Sequence, residues 1–110
     1  MINQDPQWLH VFIDIRAEVA QESAKFWSAA LGWQLGEHWP GYPEFRSFEP
    51  ATGDAYVHQQ VGDHGPRIHF DLEVTDDAEM QRLVGLGAKV VGEASGWCPM
   101  ASPGGLPFCL

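Results

Sequence analysis

Arg67-Ile68-His69-Phe70-Asp71-Leu72-Glu73-Val74, followed at once by Thr75-Asp76-Asp77, is the stretch whose reading decides the fold. Strand side chains point to opposite sides in turn, so Ile68, Phe70, Leu72 and Val74 share one face and Arg67, His69, Asp71 and Glu73 the other. The first face wants a core. The second offers a histidine and two carboxylates, and a sheet face of that kind, backed by packed helices, is how a small domain lines a cavity. Upstream, Trp8 to Arg16 alternates in the same way, with Leu9, Val11, Ile13 and Ile15 opposed to His10, Phe12, Asp14 and Arg16.

Between these two strands, residues 18–31 place Val19, Ser23, Phe26, Trp27, Ala30 and Leu31 at helical spacing. Gly32 follows where a left-handed terminating residue is wanted. No Ser, Thr, Asp or Asn caps the helix start, although Glu18 and Glu22 suit the positive end of its dipole. Trp33-Gln34-Leu35 reads as a short strand, and Gly36 to Pro43 as a loop broken by two glycines and two prolines. Phe45–Glu49 and Ala55–Val61 read as strands joined through Pro50-Ala51-Thr52-Gly53-Asp54, and Gly62 to Pro66 links to the second half. There, Asp76 with Glu79 has capping-box spacing, with Thr75 as the alternative cap, before the stripe Met80, Leu83, Val84 and the stop at Gly87. Lys89–Val91, Trp97–Ala101 and Leu106–Leu110 complete three short strands. The first seven residues read as a frayed start.

The chain is therefore strand, helix and three strands, played twice. Phe12-Ile13-Asp14-Ile15 answers His69-Phe70-Asp71-Leu72, and Leu31-Gly32-Trp33 answers Leu86-Gly87-Ala88. A period near half the chain excludes a solenoid, which stacks several shorter units. The expectation is an α+β pair of βαβββ modules, about 8–61 and about 66–110, within one domain over residues 1–110. A ferredoxin-like topology is the plain alternative and has fewer strands per half.

Composition narrows the function classes. Six Lys and Arg against fifteen Asp and Glu give a net charge of -9, which repels phosphate backbones and anionic lipid. No nucleic-acid or membrane partner is expected, and the commonest meaning of such a charge is solubility. Two cysteines make no disulfide framework, no basic-then-apolar leader opens the chain, and no apolar run approaches a membrane span. The cytoplasm is the expected location.

The segments Arg67 to Asp76, Arg82 to Val91 and Ser102 to Leu110, with Ala24-Lys25-Phe26-Trp27 and Ala30 to Trp33 in the first half, resemble the glyoxalase-like branch of the vicinal oxygen chelate superfamily. That group includes glyoxalase I, extradiol dioxygenases and bleomycin-resistance proteins, and the resemblance spans nearly the whole chain. It implies an open U-shaped barrel formed by the two modules and completed within a homodimer. In metal-dependent members it implies four ligands on cavity-facing strands, two per module. His69 matches one. The first-module ligand falls near His10 with one gap, or on Phe12 if the internal repeat sets the register. A third falls near Gln59, with His58 as its neighbour, and the fourth, normally a glutamate, matches Cys109.

An open Lewis-acid site needs imidazole and carboxylate donors. The carboxylate is missing here, so no metal or other cofactor is favoured; a divalent metal, if held, would use His10, Gln59 and His69. Cys109 reads first as a small apolar strand residue, and Cys98 implies no chemistry. His69 is read as cavity lining, ahead of a purely structural role or acid–base catalysis. Asp71, roughly 6–7 Å along the same strand, is too distant to be its assured partner. His38 and His64 read as solvated loop residues. Trp27 belongs to the helix's buried stripe, whereas Trp39 and Tyr42 on the Pro/Gly loop are placed to meet a flat or apolar ligand. An acidic rim would favour a cationic one.

Two functions follow. The first is a small-molecule-binding domain of the bleomycin-resistance type, dimeric and metal-free, with His69, Asp71, Phe12, Trp39, Tyr42, His58, Gln59 and Cys109 lining its cavity. The second is a metal-dependent lyase or isomerase of the glyoxalase type. A third reading makes the chain one domain of a longer tandem protein, because its last strand ends at Leu110.

Overall fold

A computed structural model describes residues 8–73, 78–92 and 98–110. The frayed start, the caps at Thr75 and Asp76, and Trp97 at the head of its strand lie outside them. The elements are β1 (Trp8–Ile15), a 3-10 turn (Ala17–Val19), α1 (Ala20–Leu31), β2 (Gln34–Trp39), β3 (Tyr42–Glu49), β4 (Val57–Val61), β5 (Arg67–Glu73), α2 (Ala78–Gly85), β6 (Lys89–Val90), β7 (Pro99–Ala101) and β8 (Pro107–Cys109). Mixed α and β with eight strands and two helices is thus observed among the described residues.

The chain divides into two compact units, Val11–His69 and the start of β1 with Phe70–Leu110. In the first, the strand order is β2-β3-β4-β1, with the opening residues of β5 beside β1. β1 runs parallel to β4, setting Phe12 opposite His58 and Ile13 opposite Gln59, and β3 is antiparallel to both β4 and β2. In the second unit the order is β5-β8-β7-β6, with β5 parallel to β8 and the remaining pairs antiparallel. β1 thus pairs with β4, and β5 with β8, in parallel.

α1 starts without a side-chain cap, through the 3-10 turn, and ends on Gly32 at φ 71, where the ring-free residue accepts the left-handed conformation. Its inward face is built of small residues, Ala20, Ser23, Ala24 and Ser28, with Ala24 fully buried. That face lets the helix lie close to its sheet and turns the bulky rings aside. Trp27, expected in the buried stripe, is therefore 37% exposed and Phe26 60% exposed, their rings meeting edge to face.

The stretch 36–43 is not a loop. β2 continues through Trp39, Pro40 and Gly41 make a tight turn with Gly41 at φ 78, and β3 begins at Tyr42. Gly36 is buried mid-strand, where an added Cβ would collide with the Glu49 carboxylate and crowd the Ser47 carbonyl. Its glycine marks a close approach inside a ladder whose register shifts between Leu35 and Trp39, not a chain reversal.

In the Val11–His69 unit the buried set is Phe12, Ala24 and Phe48 together with Asp14, His58 and Gln59. Polar groups at that depth must be hydrogen-bonded to be tolerated, and they fix where the unit's chemistry lies. Gly65 helps to hold this arrangement: its φ is +119, and a Cβ there would come within 2.6 Å of the Asp14 carbonyl oxygen. Gly65→Ala is expected to cost about 1–2 kcal/mol, read as a fall in urea midpoint at unchanged slope; an unaltered midpoint would show that the turn relaxes freely.

Candidate functional site

β1, β2, β3, β4 and the start of β5 carry one cluster within the Val11–His69 unit. Alternation puts Phe12 and Asp14 of β1 on the same face as His58 of β4 and Ser47 of β3, because Phe12 and Ser47 both stand opposite His58 in the ladders. Phe12, 4% exposed, lies between two imidazoles: its ring stacks on His69 with centroids 5.0 Å apart and planes 5° apart, and tilts against His58 at 4.9 Å. Trp39 and Phe45 continue the wall, stacked at 4.7 Å and each edge-on to Phe12. Tyr42 touches Phe45 edge-on at 6.4 Å and is 60% exposed, which places it at the rim.

Hydrogen bonds hold these rings. The Trp39 indole N–H donates to Ser47 Oγ at 3.0 Å, and the same hydroxyl is hydrogen-bonded to Nδ1 of His58, 2.7 Å away. His69 is held by a carboxylate. Its Nδ1–H donates to Asp14 Oδ2 at 2.7 Å, which makes Nε2 the acceptor atom of the neutral ring. The same Oδ2 accepts Arg67 Nε at 2.8 Å, while Asp14 Oδ1, also buried, has no partner among the described residues. The site therefore joins an aromatic wall to two imidazoles, one hydrogen-bonded to a serine hydroxyl and one oriented by a buried carboxylate. A carboxylate so placed fixes the ring and stabilises the imidazolium that forms when Nε2 takes a proton.

Of the residues singled out in the sequence, Phe12, Trp39, His58 and His69 come together and Tyr42 lies at their edge. Gln59 does not join them. One residue beyond His58, it faces α1, where its Nε2 donates to the Ala20 carbonyl at 3.0 Å. His10 and Asp71 belong to the other unit, where His10 Nε2 meets Glu73 Oε2 at 2.9 Å and Asp71 stands opposite Cys109 in the parallel β5–β8 ladder. Asp14, Arg67, Phe45 and Ser47 were not anticipated. A signal for Asp14 did exist: it occupies the polar face of β1 two residues from Phe12, as Asp71 does from His69.

A family model described as a glyoxalase-like domain matches residues 10–110. The chain belongs to the glyoxalase-like domain family. No curated protein matches it.

In this glyoxalase-like domain the donor set His10, Gln59 and His69 does not fit a metal. The Gln59 amide is directed to α1, and His10 is bonded to Glu73. Where the internal repeat places a first-half ligand, the side chain is the phenyl ring of Phe12, which supplies no lone pair and occupies the space between the two histidines. Among the described residues no three His, Cys, Asp or Glu side chains are grouped to hold an ion. Nor, among the same residues, is any helix long and apolar enough to cross a membrane.

Proposed function

We propose that this protein is a small-molecule-binding glyoxalase-like domain that uses no resident metal. The observation that carries the reading is Phe12 stacked on His69 and tilted against His58. A flat, partly apolar guest would lie against Phe12, Trp39 and Phe45, with the two imidazoles at its polar edge. The net charge of -9 favours a neutral or cationic guest over an anion. In this reading the chain is one domain, its two βαβββ modules form an open U-shaped barrel, and the protein is cytoplasmic and homodimeric. Support for a dimer comes from the apolar face of β5, where Ile68 is 63% exposed although its alternation calls for burial. Cys109 and Asp71 are then lining residues contributed by the second module.

The test is elemental analysis of protein purified without chelators, together with tryptophan fluorescence during titration with a flat aromatic cation such as ethidium. Well under one divalent ion per chain, and saturable quenching that Trp39→Leu removes, are expected. A stoichiometric ion that disappears in His69→Ala would instead establish the metal-dependent lyase or isomerase.

A further inference from the structure

The opposite face of the same sheet carries a cavity of about 350 Å³ between the start of α1 and strands β2, β3 and β4. This lies at the lower end of the ~300–1,000 Å³ typical of small-molecule sites. Its walls include Gln21 and Ala20 of α1, His38, Glu44, Arg46 and Gln59. Three of these form one row across adjacent strands, because His38 stands opposite Arg46 and Arg46 opposite Gln59. Alternation separates the row from Ser47 and His58, so the cavity is distinct from the aromatic site.

The deciding group is Gln59. It is 2% exposed, its Nε2 is committed to the Ala20 carbonyl, and its Oε1 is buried with no partner among the described residues. A buried amide oxygen without a donor costs on the order of 1–3 kcal/mol, so a small shift of this side chain toward the cavity would let an occupant's N–H or O–H satisfy it. Beside it, Arg46 spends Nε on the Gly36 carbonyl at 3.0 Å, a bond that steadies the guanidinium and leaves its terminal nitrogens as paired donors for a carboxylate. Glu44, two residues away on the same face of β3, contributes the opposite charge. His38 gives its Nδ1–H to the Pro43 carbonyl at 2.8 Å, so in the neutral ring Nε2 is a further acceptor.

We infer that this cavity binds a small zwitterion of amino-acid type, its carboxylate on Arg46 and its ammonium shared between Gln59 Oε1 and Glu44. The charges of Arg46 and Glu44 cancel, which disfavours a guest of single charge. One arm alone leaves either the guanidinium or the amide oxygen without its complement.

The experiment is an amide and side-chain NMR titration of the full chain with L-serine, with lactate, which keeps the carboxylate, and with ethanolamine, which keeps the ammonium. Saturable shifts of the Gln59 side-chain amide and Arg46 Nε–H are expected with serine, at an affinity roughly tenfold above either one-armed probe. Because Glu44 is exposed, Glu44→Gln should fold normally and weaken serine by about three- to fivefold while leaving lactate no weaker. Equal affinity for all three probes, or serine binding indifferent to Glu44→Gln, would overturn the inference, and absence of saturation would leave the cavity to water alone. Shifts confined to His58 and His69 would locate serine in the aromatic site and equally reject it. None of these outcomes depends on whether the aromatic site is metal-free.

Discussion

Phe12→Ala is expected to lower the unfolding free energy by about 3–4 kcal/mol, the range for removing a fully buried aromatic side chain. Three contributions add up at this position. The ring is 4% exposed, so nearly all of its apolar area is out of water. It also meets four other rings, those of Trp39, Phe45, His58 and His69, and each well-oriented aromatic contact contributes beyond area. Finally, two imidazoles on either side restrain collapse of the hole, because each is tied by its Nδ1 to a different strand. Urea denaturation followed by far-ultraviolet circular dichroism measures the loss, with the slope unchanged if the unfolded chain is unaffected. A loss below about 1 kcal/mol would mean that the histidines close over the gap, and the stack would then lose its claim to organise the site.

Asp14→Ala is expected to cost about 2–3 kcal/mol, most of it at His69. The His69 side chain is 16% exposed, and removing the carboxylate strands its Nδ1–H in a mostly buried setting, which costs about 1–3 kcal/mol. Arg67 adds little: its side chain is 55% exposed, water takes over its hydrogen bonds, and a pair of that kind contributes about 0–1 kcal/mol. A functional consequence follows from the same geometry. Without Asp14 the acceptor that holds Nδ1–H is gone, so nitrogen-15 shifts of the ring should move from the Nδ1–H form toward a mixture. Asp14→Asn separates the two effects, since its amide oxygen can still accept from Nδ1 while the charge is gone. If Asp14→Asn is as damaging as Asp14→Ala, the charge and not the hydrogen bond maintains the pair.

Much of this architecture was legible in the sequence. Alternation marked β1 and β5, Gly32 marked the end of α1, and the mixture of two helices with short strands was read from periodicity and turn residues. The partner of His69 was not legible. Along its own strand the nearest carboxylate is Asp71, whereas the one that holds it is Asp14, 55 residues earlier. Such a contact is created by strand pairing, which no local pattern encodes. The β2–β3 hairpin was missed for a different reason. Glycine and proline ordinarily punctuate, but Gly36 lies inside a strand because the neighbouring chain leaves no room for a side chain. Trp39 accordingly stands on a paired strand rather than a loop. Gln59 was placed beside His58 as a ligand-face residue, whereas its amide is bonded to α1, since a one-residue shift in a strand reverses the side.

Trp39's place on that hairpin bears on how the protein would choose what it binds. With its indole N–H already satisfied by Ser47 and its plane fixed against Phe45, the ring is set before any encounter. The entropy of ordering it is spent during folding and is not charged to association. On the proposed reading, such a wall would select by outline instead of adapting. Exchanging ring sizes at positions 39 and 45 should therefore change which shapes are admitted, with little effect on how quickly they enter.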